Sequence, residues 1–209
     1  MARRRFAPIE DVQLVGGALS LDFVNTNGRR DSGSPRERLR SMRDVLVFTE
    51  RTGVLERRDA RALAAALEPA EAERALRRVV ALREAVYRLL RSLLEQQPVA
   101  DRDLALFNRE LREASRAREL VWSGGAPRWV WNRKPSGVGH LLAPIVISAA
   151  ELLESPERLT ALKKCGECDW LFLDTTRNHS RTWCKTTCGD RVKARRYYRR
   201  HRGGGGHRT

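Results

Sequence analysis

The sequence predicts a mainly α-helical protein: a helical N-terminal domain with a small β-hairpin, followed by a short cysteine-containing module that ends in a basic helix. Three observations predict this fold class. Apolar residues recur at steps of three and four through residues 69 to 94, as on one buried face of a helix. Two aromatic-rich runs flank a turn at residues 123 to 127. All four cysteines lie between residues 165 and 188, and a basic segment without a helix breaker, residues 191 to 201, follows them.

The chain length of 209 residues and the hydrophobic content of 41% allow one sizeable core and one small module. We therefore expect two unequal domains, residues 1 to 156 and 157 to 209, divided where Ser155 and Pro156 interrupt the helical pattern. The sequence contains no stretch of about 18 apolar residues, and its N-terminal segment lacks the apolar run of a signal peptide. We expect a cytoplasmic protein without a membrane partner.

The N-terminal domain begins with a segment that apolar periodicity does not resolve. Residues 14 to 26, LVGGALSLDFVNT, contain a glycine pair followed by mixed apolar residues, and they fit either a short strand or a buried turn. Residues 27 to 35 are rich in Gly, Ser, Asp and Pro, which is typical of a loop. Ser41 then suits the N-cap of a helix that runs through Thr52 and stops at Gly53.

Four further elements complete this domain. Residues 69 to 94 form the longest periodic segment and predict the central helix. Asp101 is the expected N-cap of the next, amphipathic helix. The aromatic runs between residues 120 and 131 predict the β-hairpin. Residues 141 to 153 predict an apolar helix that tolerates Pro144 in its first turn.

The cysteines form two closely spaced pairs. Cys165 and Cys168 are separated by two residues, Cys184 and Cys188 by three, and fifteen residues lie between the pairs. This spacing is typical of a structural zinc site, in which four thiolates surround one ion and leave no position for a water. Two other interpretations are weaker. Reduced thiols in a core have no reason to pair in this way, and a redox Cys-x2-Cys site needs a βαβ context that the flanking sequence lacks.

The residues between and after the cysteine pairs predict a treble-clef-like zinc finger. Residues 170 to 173, WLFL, suit a strand, residues 174 to 180 a turn, and residues 181 to 183 a strand that returns antiparallel to the first. The Gly189-Asp190 step is expected to turn the chain into the basic helix over residues 191 to 201. So small a module buries too little apolar surface to fold alone, so we expect one zinc ion to hold this helix in place.

The charge of the chain is concentrated in this module. The formal net charge is +15 and the sequence pI is about 10.9, which favours anionic partners. Residues 157 to 209 hold 14 Lys and Arg against 5 Asp and Glu, a net charge of +9. Arginine predominates, which suits bidentate contacts to phosphate or guanine. We predict that the finger binds duplex DNA through the basic residues of its helix and of the segment before it: Arg177, Arg181, Lys185, Arg191, Lys193, Arg195, Arg196, Arg199 and Arg200.

Two alternatives to the DNA-binding prediction stay open. In the first, the basic helix is merely solvated. In the second, the finger is an RNA-binding or ribosome-associated zinc module, because a zinc scaffold with arginines serves either polymer. Beyond the helix, residues 203 to 206 are all glycine and predict a flexible tail.

The C-terminal sequence CGECDWLFLDTTRNHSRTWCKTTCGDRVKARRYYRR resembles the CGNR zinc-finger family of bacterial transcription regulators. The four residues that name the family correspond to Cys188, Gly189, Asp190 and Arg191. Asp190 stands where the family usually has Asn, and an acid is not expected to contact nucleic acid there. Near the N-terminus, GGALSLDFVNT resembles the ABATE domain that accompanies this finger. The resemblance implies a DNA-binding regulator linked to stress or to metabolites, with its zinc ligands on the four cysteines.

The N-terminal domain contains no catalytic motif, neither a P-loop nor Gly-x-Ser-x-Gly nor a metal-type His pair, so we expect no enzyme. An enzyme with an accessory finger is the least favoured alternative. We expect this domain to sense a small-molecule effector or to form a homodimer. Small-molecule pockets combine aromatic walls with few polar groups, and the candidates are Asp22, Asn25, Trp122, Trp129, Trp131 and His140. In the competing interpretation, the two polar residues cap backbone groups and the tryptophans belong to the core.

Overall fold

A computed structural model describes residues 8–32, 35–131 and 137–202 of the chain. The described chain is mainly helical with small antiparallel hairpins, which confirms the predicted fold class. The glycine segment 203–206 lies outside the described residues. The helices are α1 (Leu19–Val24), α2 (Met42–Arg51), α3 (Arg57–Ala66), α4 (Pro69–Leu94), α5 (Asp101–Arg116), α6 (Gly139–Leu153), α7 (Pro156–Ala161) and α8 (Thr186–Arg202). The strands are β1 (Asn27–Gly28), β2 (Arg36–Glu37), β3 (Arg118–Ser123), β4 (Ala126–Trp131), β5 (Leu162–Lys164) and β6 (Leu171–Leu173).

Helix α4 runs through the centre of the N-terminal region with the bounds that its periodicity predicts. Its first residue is a proline, whose missing N–H costs nothing at that position. The buried face includes Val79, Leu82, Val86 and Leu90, each at most 1% exposed. Helices α5 and α6 pack against α4, and α1 packs against both α4 and α6, so these four helices enclose the main apolar core. Within the described ranges, no helix has the length and apolar character needed to cross a membrane.

Helix α2 begins at the predicted cap. The side-chain oxygen of Ser41 accepts a hydrogen bond from the backbone N–H of Asp44 at 3.3 Å, and the Asp44 carboxylate accepts one from the backbone N–H of Ser41 at 2.9 Å. This reciprocal arrangement is a capping box, which satisfies N–H groups that have no partner inside the helix.

Two helix starts differ from the prediction by one or two residues. Helix α5 begins at Asp101 itself, and Ala100 occupies the cap position, so Asp101 is the first helical residue rather than the N-cap. Helix α6 begins at Gly139. Pro144 is therefore its sixth residue and lies inside the helix rather than in its first turn. At this interior position the proline removes one backbone hydrogen bond.

The segment predicted to be a strand or a turn contains helix α1 instead. The turn before α1 is closed by Gly17, whose φ is 82°, and by a hydrogen bond from the backbone N–H of Gly16 to Asp22 Oδ1 at 2.8 Å. Most of α1 is buried in the core. A helix of six residues spans less than two turns, which is too short for an apolar period to show in the sequence.

Strands β3 and β4 form the predicted hairpin. They pair antiparallel in a register that sets Leu120 opposite Trp129 and Trp122 opposite Pro127. The two turn residues, Gly124 and Gly125, both have positive φ, 63° and 78°, as a tight turn matching the strand twist requires.

The apolar core continues across the predicted domain boundary. Helix α7 begins at Pro156, and the side chain of Ser155 caps it, at the place where the sequence predicts a break. Beyond this point, Trp170, Leu171 and Phe172 belong to the same buried cluster as the N-terminal helices. The C-terminal module is thus packed on the N-terminal region, and the division at residue 156 stays a prediction.

Candidate metal centre and basic helix

The first cysteine pair lies at the tip of the hairpin formed by β5 and β6. The strands pair antiparallel, with Leu162 opposite Leu173 and Lys164 opposite Leu171. At the tip, the backbone N–H of Cys165 donates to the carbonyl of Trp170 at 2.8 Å. The sequence prediction that residues 181 to 183 pair with the WLFL strand is wrong, because β5, which precedes the cysteines, occupies that position and residues 181 to 183 form no strand.

The second cysteine pair lies at the start of helix α8. Cys184 precedes the helix and Cys188 is in its first turn, because α8 begins at Thr186 rather than at the predicted residue 191. Gly189 and Asp190 are therefore helical residues and not a turn. A Cβ at Gly189 would lie 3.2 Å from Trp183 Cε3, a tight contact, so the helix approaches the Trp183 ring closely at this glycine.

The four sulfur atoms form a compact buried cluster. Cys168 Sγ lies 3.5 Å from Cys184 Sγ and 3.7 Å from Cys188 Sγ, and the latter two are 3.8 Å apart. All four sulfurs lie within 4.8 Å of one another. Zinc–sulfur bonds of about 2.3 Å in a tetrahedron place the sulfurs about 3.8 Å apart, which matches these separations. The four cysteines are thus positioned to bind one metal ion, and the donor set fits structural zinc.

The ionisation of the thiols supports a cation at their centre. Hydrogen bonding to Cys165 and Cys168, together with burial, raises the pKa of Cys184. Burial and the charge of Cys165 raise the pKa of Cys188. Four thiolates can therefore share this volume only when a cation lies among them, and a bound zinc ion supplies that charge.

The loop between the two cysteine pairs is organised by a buried carboxylate that the sequence analysis missed. The Asp174 side chain accepts hydrogen bonds from the backbone N–H of Thr176 at 3.0 Å, from the backbone N–H of Arg181 at 2.7 Å and from Lys163 Nζ at 2.9 Å. Burial alone raises the pKa of Asp174, but the hydrogen bonds from Thr176, Lys163 and Arg181 outweigh it and hold the pKa well below its ordinary value. The Asp-x-Thr pattern, typical of an Asx turn, was the available signal.

The finger is joined to the N-terminal region by hydrogen bonds to the backbone of β6. The amide side chain of Asn25 bonds both the carbonyl and the N–H of Leu171, at 2.8 and 2.9 Å. The N–H of Leu173 donates to the carbonyl of Gly16 at 2.9 Å. The free edge of β6 is thereby paired, and α1 together with the turn before it forms the surface on which the finger packs.

A second contact joins the first cysteine pair to β1. The N–H of Arg29 donates to the carbonyl of Cys168 at 3.0 Å. A Cβ at Gly28 would lie 2.7 Å from Trp170 Nε1, so the indole of Trp170 packs directly on the glycine backbone. Nearby, Lys164 pairs with Asp31 at 3.0 Å, and Asp31 also pairs with Arg91 of α4 at 2.8 Å.

The basic residues predicted to bind DNA fall into two groups. Three of them already have partners inside the finger. Arg181 donates to the carbonyl of Cys184 at 2.6 Å, the ammonium of Lys185 lies 4.3 Å from the centre of the Trp170 ring, and Arg195 pairs with Glu167 of the first cysteine turn at 3.1 Å. The other group is exposed and forms no ion pair within the described part of the chain: Arg177, Arg191, Lys193, Arg196, Arg199 and Arg200.

The six candidate effector residues occupy different surroundings. Asp22 and Asn25 bond backbone groups of Gly16 and Leu171, as in the competing interpretation. The tryptophans lie on β3 and β4, where Trp122 and Trp129 are largely exposed and Trp131 is half-buried, and His140 is a half-buried residue in the first turn of α6. Among the described residues, no hydrogen bond or ring contact joins the two polar residues to the tryptophans, and effector binding stays a prediction.

Two family profiles match the chain. Residues 17–156 match the ABATE family, described as "putative stress-induced transcription regulator". Residues 161–201, which include all four cysteines, match the CGNR zinc finger. A search of the curated proteins gives no match. Both matches confirm the resemblance seen in the sequence. The chain belongs to the ABATE family and carries a CGNR zinc finger.

Proposed function

We propose that this protein is a DNA-binding transcription regulator in which the zinc-bound finger presents helix α8 to duplex DNA. One observation carries the proposal: α8 combines a metal-fixed first turn with a long exposed basic surface. Cys188 is a ligand in that first turn, and residues 190–201 of α8 are all exposed except Val192, which is half-buried. The metal thus fixes the helix at one end and leaves the remainder accessible to a polyanion.

The helical spacing of the basic residues suits a groove-binding helix. At about 100° per residue, Arg191, Arg195 and Arg199 form one stripe, and Arg196 and Arg200 form the adjacent one. A basic arc of this width can contact phosphates on both walls of a major groove while the residues between them face base edges. Like-charge neighbours on these stripes repel one another, and phosphate binding relieves that repulsion.

The two groups of basic residues have separate tasks in this proposal. Arg195 pairs with Glu167, and Arg181 bonds the backbone of Cys184, so both set the direction in which α8 leaves the finger. The exposed group, which includes Arg196, Arg199 and Arg200, supplies the DNA contacts. Substituting the first group would disturb geometry, whereas substituting the second would remove phosphate contacts alone.

Duplex binding is tested by fluorescence anisotropy with zinc-loaded protein over a range of salt concentrations. Six phosphate contacts predict a log–log salt slope of about −5. Arg196→Gln with Arg199→Gln should weaken binding and reduce the slope by about 2. The matched control, Arg61→Gln with Arg112→Gln, removes two exposed arginines from α3 and α5 and should leave the slope unchanged. A slope near zero, or equal effects of the two double variants, would refute the proposal.

RNA binding is the second candidate, and exposed aromatic side chains on α8 favour it. Tyr197 and Tyr198 are 58% and 63% exposed, and Tyr197 stacks on His201 with ring centroids 4.0 Å apart. Aromatic rings beside arginines can stack on unpaired bases. Parallel titrations of duplex DNA and structured RNA at one salt concentration decide between the candidates, because the DNA proposal requires the tighter complex with the duplex.

We further propose that the N-terminal region supplies the regulatory input, by effector binding or by dimerisation. Support comes from the direct hydrogen bonds between Asn25 and Leu171, through which a displacement of α1 reaches the finger. Isothermal titration with candidate metabolites, with and without duplex DNA, tests the effector: heat of binding must be accompanied by a changed affinity for DNA.

A further inference from the structure

The hairpin of β3 and β4 has an apolar face that packs against the core at Trp131 and is exposed over the rest of its length. The cross-strand pairs place alternate residues on a common side, here called the aromatic face: Arg118, Leu120, Trp122, Pro127, Trp129 and Trp131. On this face Leu120, Trp122 and Trp129 are 58%, 76% and 56% exposed. On the opposite side, Val121 and Val130 are half-buried. Three large apolar side chains of the aromatic face are thus exposed, although apolar side chains of a hairpin commonly pack on a core.

The exposed aromatic face is large for a surface without a partner. An aromatic side chain buries roughly 150 to 250 Å² when fully covered, so the three exposed residues present on the order of 400 Å². Apolar patches of this size on folded proteins commonly mark interaction sites.

Charge and composition argue against several occupants. Residues 118 to 131 carry two arginines and one glutamate, too little charge to attract nucleic acid. Arg118 already lies 4.4 Å from the centre of the Trp129 ring and 3.6 Å from Glu151. The parts of the chain outside the described ranges contain only two large apolar residues, Met1 and Phe6, and thus have too few apolar groups to cover three exposed side chains.

We propose that the aromatic face is a homodimer interface, in which the hairpins of two copies pack face to face about a two-fold axis. The one cation on the aromatic face is already paired. Two copies of the face can therefore meet without charge repulsion. Two copies would together bury roughly 800 to 1,000 Å², which is the small end of specific interfaces and suits a dimer that dissociates in the micromolar range. The dimer interface is inferred independently of the proposed DNA binding. One consequence does rest on that proposal: a dimer presents two α8 helices to two half-sites.

Sedimentation velocity of the full-length, zinc-loaded protein without DNA tests this interface. As concentration rises from about 1 to about 100 µM, the mass should rise from 23.8 kDa towards twice that value. The double variant Trp122→Ser with Trp129→Ser should stay monomeric, with a dissociation constant at least about 30-fold higher. The matched control is Leu93→Ser with Leu104→Ser, two residues that are 44% exposed on α4 and α5, and it should dimerise like the wild type.

The outcomes separate the interface from DNA binding. A wild-type chain that stays monomeric throughout, or a tryptophan variant that still dimerises, overturns the inference. Unchanged zinc content and thermal midpoint in the tryptophan variant show that its loss of association is local. If the wild type dimerises but binds no duplex, the interface stands and the proposed function fails; a monomeric wild type that binds duplex gives the opposite result.

Discussion

The side chain of Asn25 forms two hydrogen bonds with the backbone of Leu171, 146 positions later in the chain. Asn25 Nδ2 donates to the carbonyl at 2.8 Å, and the N–H of Leu171 donates to Asn25 Oδ1 at 2.9 Å. Neither residue is accessible to solvent. The amide thus replaces a neighbouring strand along the edge of β6, and the N-terminal motif that resembles the ABATE domain is itself the support of the finger.

Replacing Asn25 with Ala should lower the free energy of unfolding by about 2 to 4 kcal/mol, because two buried backbone groups of Leu171 lose their partner. Urea unfolding followed by circular dichroism measures this change. The matched control is Asn108→Ala, a half-buried residue on α5, which should change the free energy of unfolding by less than about 0.5 kcal/mol. A small effect at Asn25 would show that the finger packs without this amide.

Removing the metal should destabilise the whole chain and not the finger alone. Because the finger shares its core and its β6 hydrogen bonds with α1, loss of zinc should lower the thermal midpoint by more than about 10 °C, as a loss of several kcal/mol predicts for a chain of this size. Calorimetry before and after chelation measures the change, and metal analysis should find one zinc per chain.

Cys188→Ser provides the matched genetic test, because it removes one ligand and leaves the remaining sequence intact. It should reproduce the effect of chelation. An unchanged N-terminal transition in the metal-free chain would mean that the two regions unfold independently, contrary to the shared core.

The stability of the chain should depend on the ionisation of Asp22. Burial raises the pKa of Asp22 from 3.8 to about 6, although backbone N–H groups of Gly16 and Val15 bond the carboxylate. The folded state therefore holds this proton more tightly than the unfolded state does, and its stability falls as pH rises from about 4 to about 6.

Asp22→Asn removes this titration. Relative to the wild type, the free energy of unfolding of the variant should therefore rise by about 1 kcal/mol between pH 5 and pH 7.5, after allowance for partial exposure of the side chain. Urea unfolding at both pH values, with zinc content checked at each, measures the difference. A constant difference between the two proteins would contradict the raised pKa.

Glu167→Gln separates geometry from electrostatics in DNA binding. The substitution removes a negative charge next to α8, so charge alone predicts a tighter complex with DNA. If the pair with Arg195 sets the direction of the helix, the affinity for duplex should instead fall by about 3-fold to 10-fold. Glu157→Gln removes an equal charge from an exposed position on α7 and serves as the control. Binding that tightens equally in both variants would reject the orienting role of Glu167.

Much of this fold follows from local sequence patterns. The bounds of α4, the N-cap at Ser41, the β3–β4 hairpin and the metal-ligand spacing each depend on a short-range signal, and the structure confirms them. The sequence predicts the wrong partner strand for β6, because strand pairing depends on which apolar segments meet in space. Leu162–Lys164 is a three-residue strand with two lysines and gives no recognisable pattern.

The start of α8 and the backbone partner of Asn25 do not follow from the sequence, for related reasons. The glycine in the CGNR-type motif reads as a helix stop in isolation, yet Gly189 lies inside α8 and packs closely on Trp183. A buried amide that bonds backbone far away in sequence has no local signature at all, so the sequence leaves open whether Asn25 lines a pocket or caps a backbone group. Both features depend on contacts between segments, which a single sequence does not display.

Because Cys188 lies in the first turn of α8, the cysteine cluster fixes one end of a long helix. The part of α8 beyond Cys188 reaches Arg202 and extends about 21 Å from the cysteine cluster, at about 1.5 Å per residue. A tilt of about 10° at the cysteine cluster would move the far end by about 4 Å. That displacement is comparable to the 3.4 Å rise between successive phosphates of one strand, as measured along the axis of DNA. If the N-terminal region supplies a regulatory input, as proposed, a small rearrangement near α1 would be magnified at the arginines furthest from it.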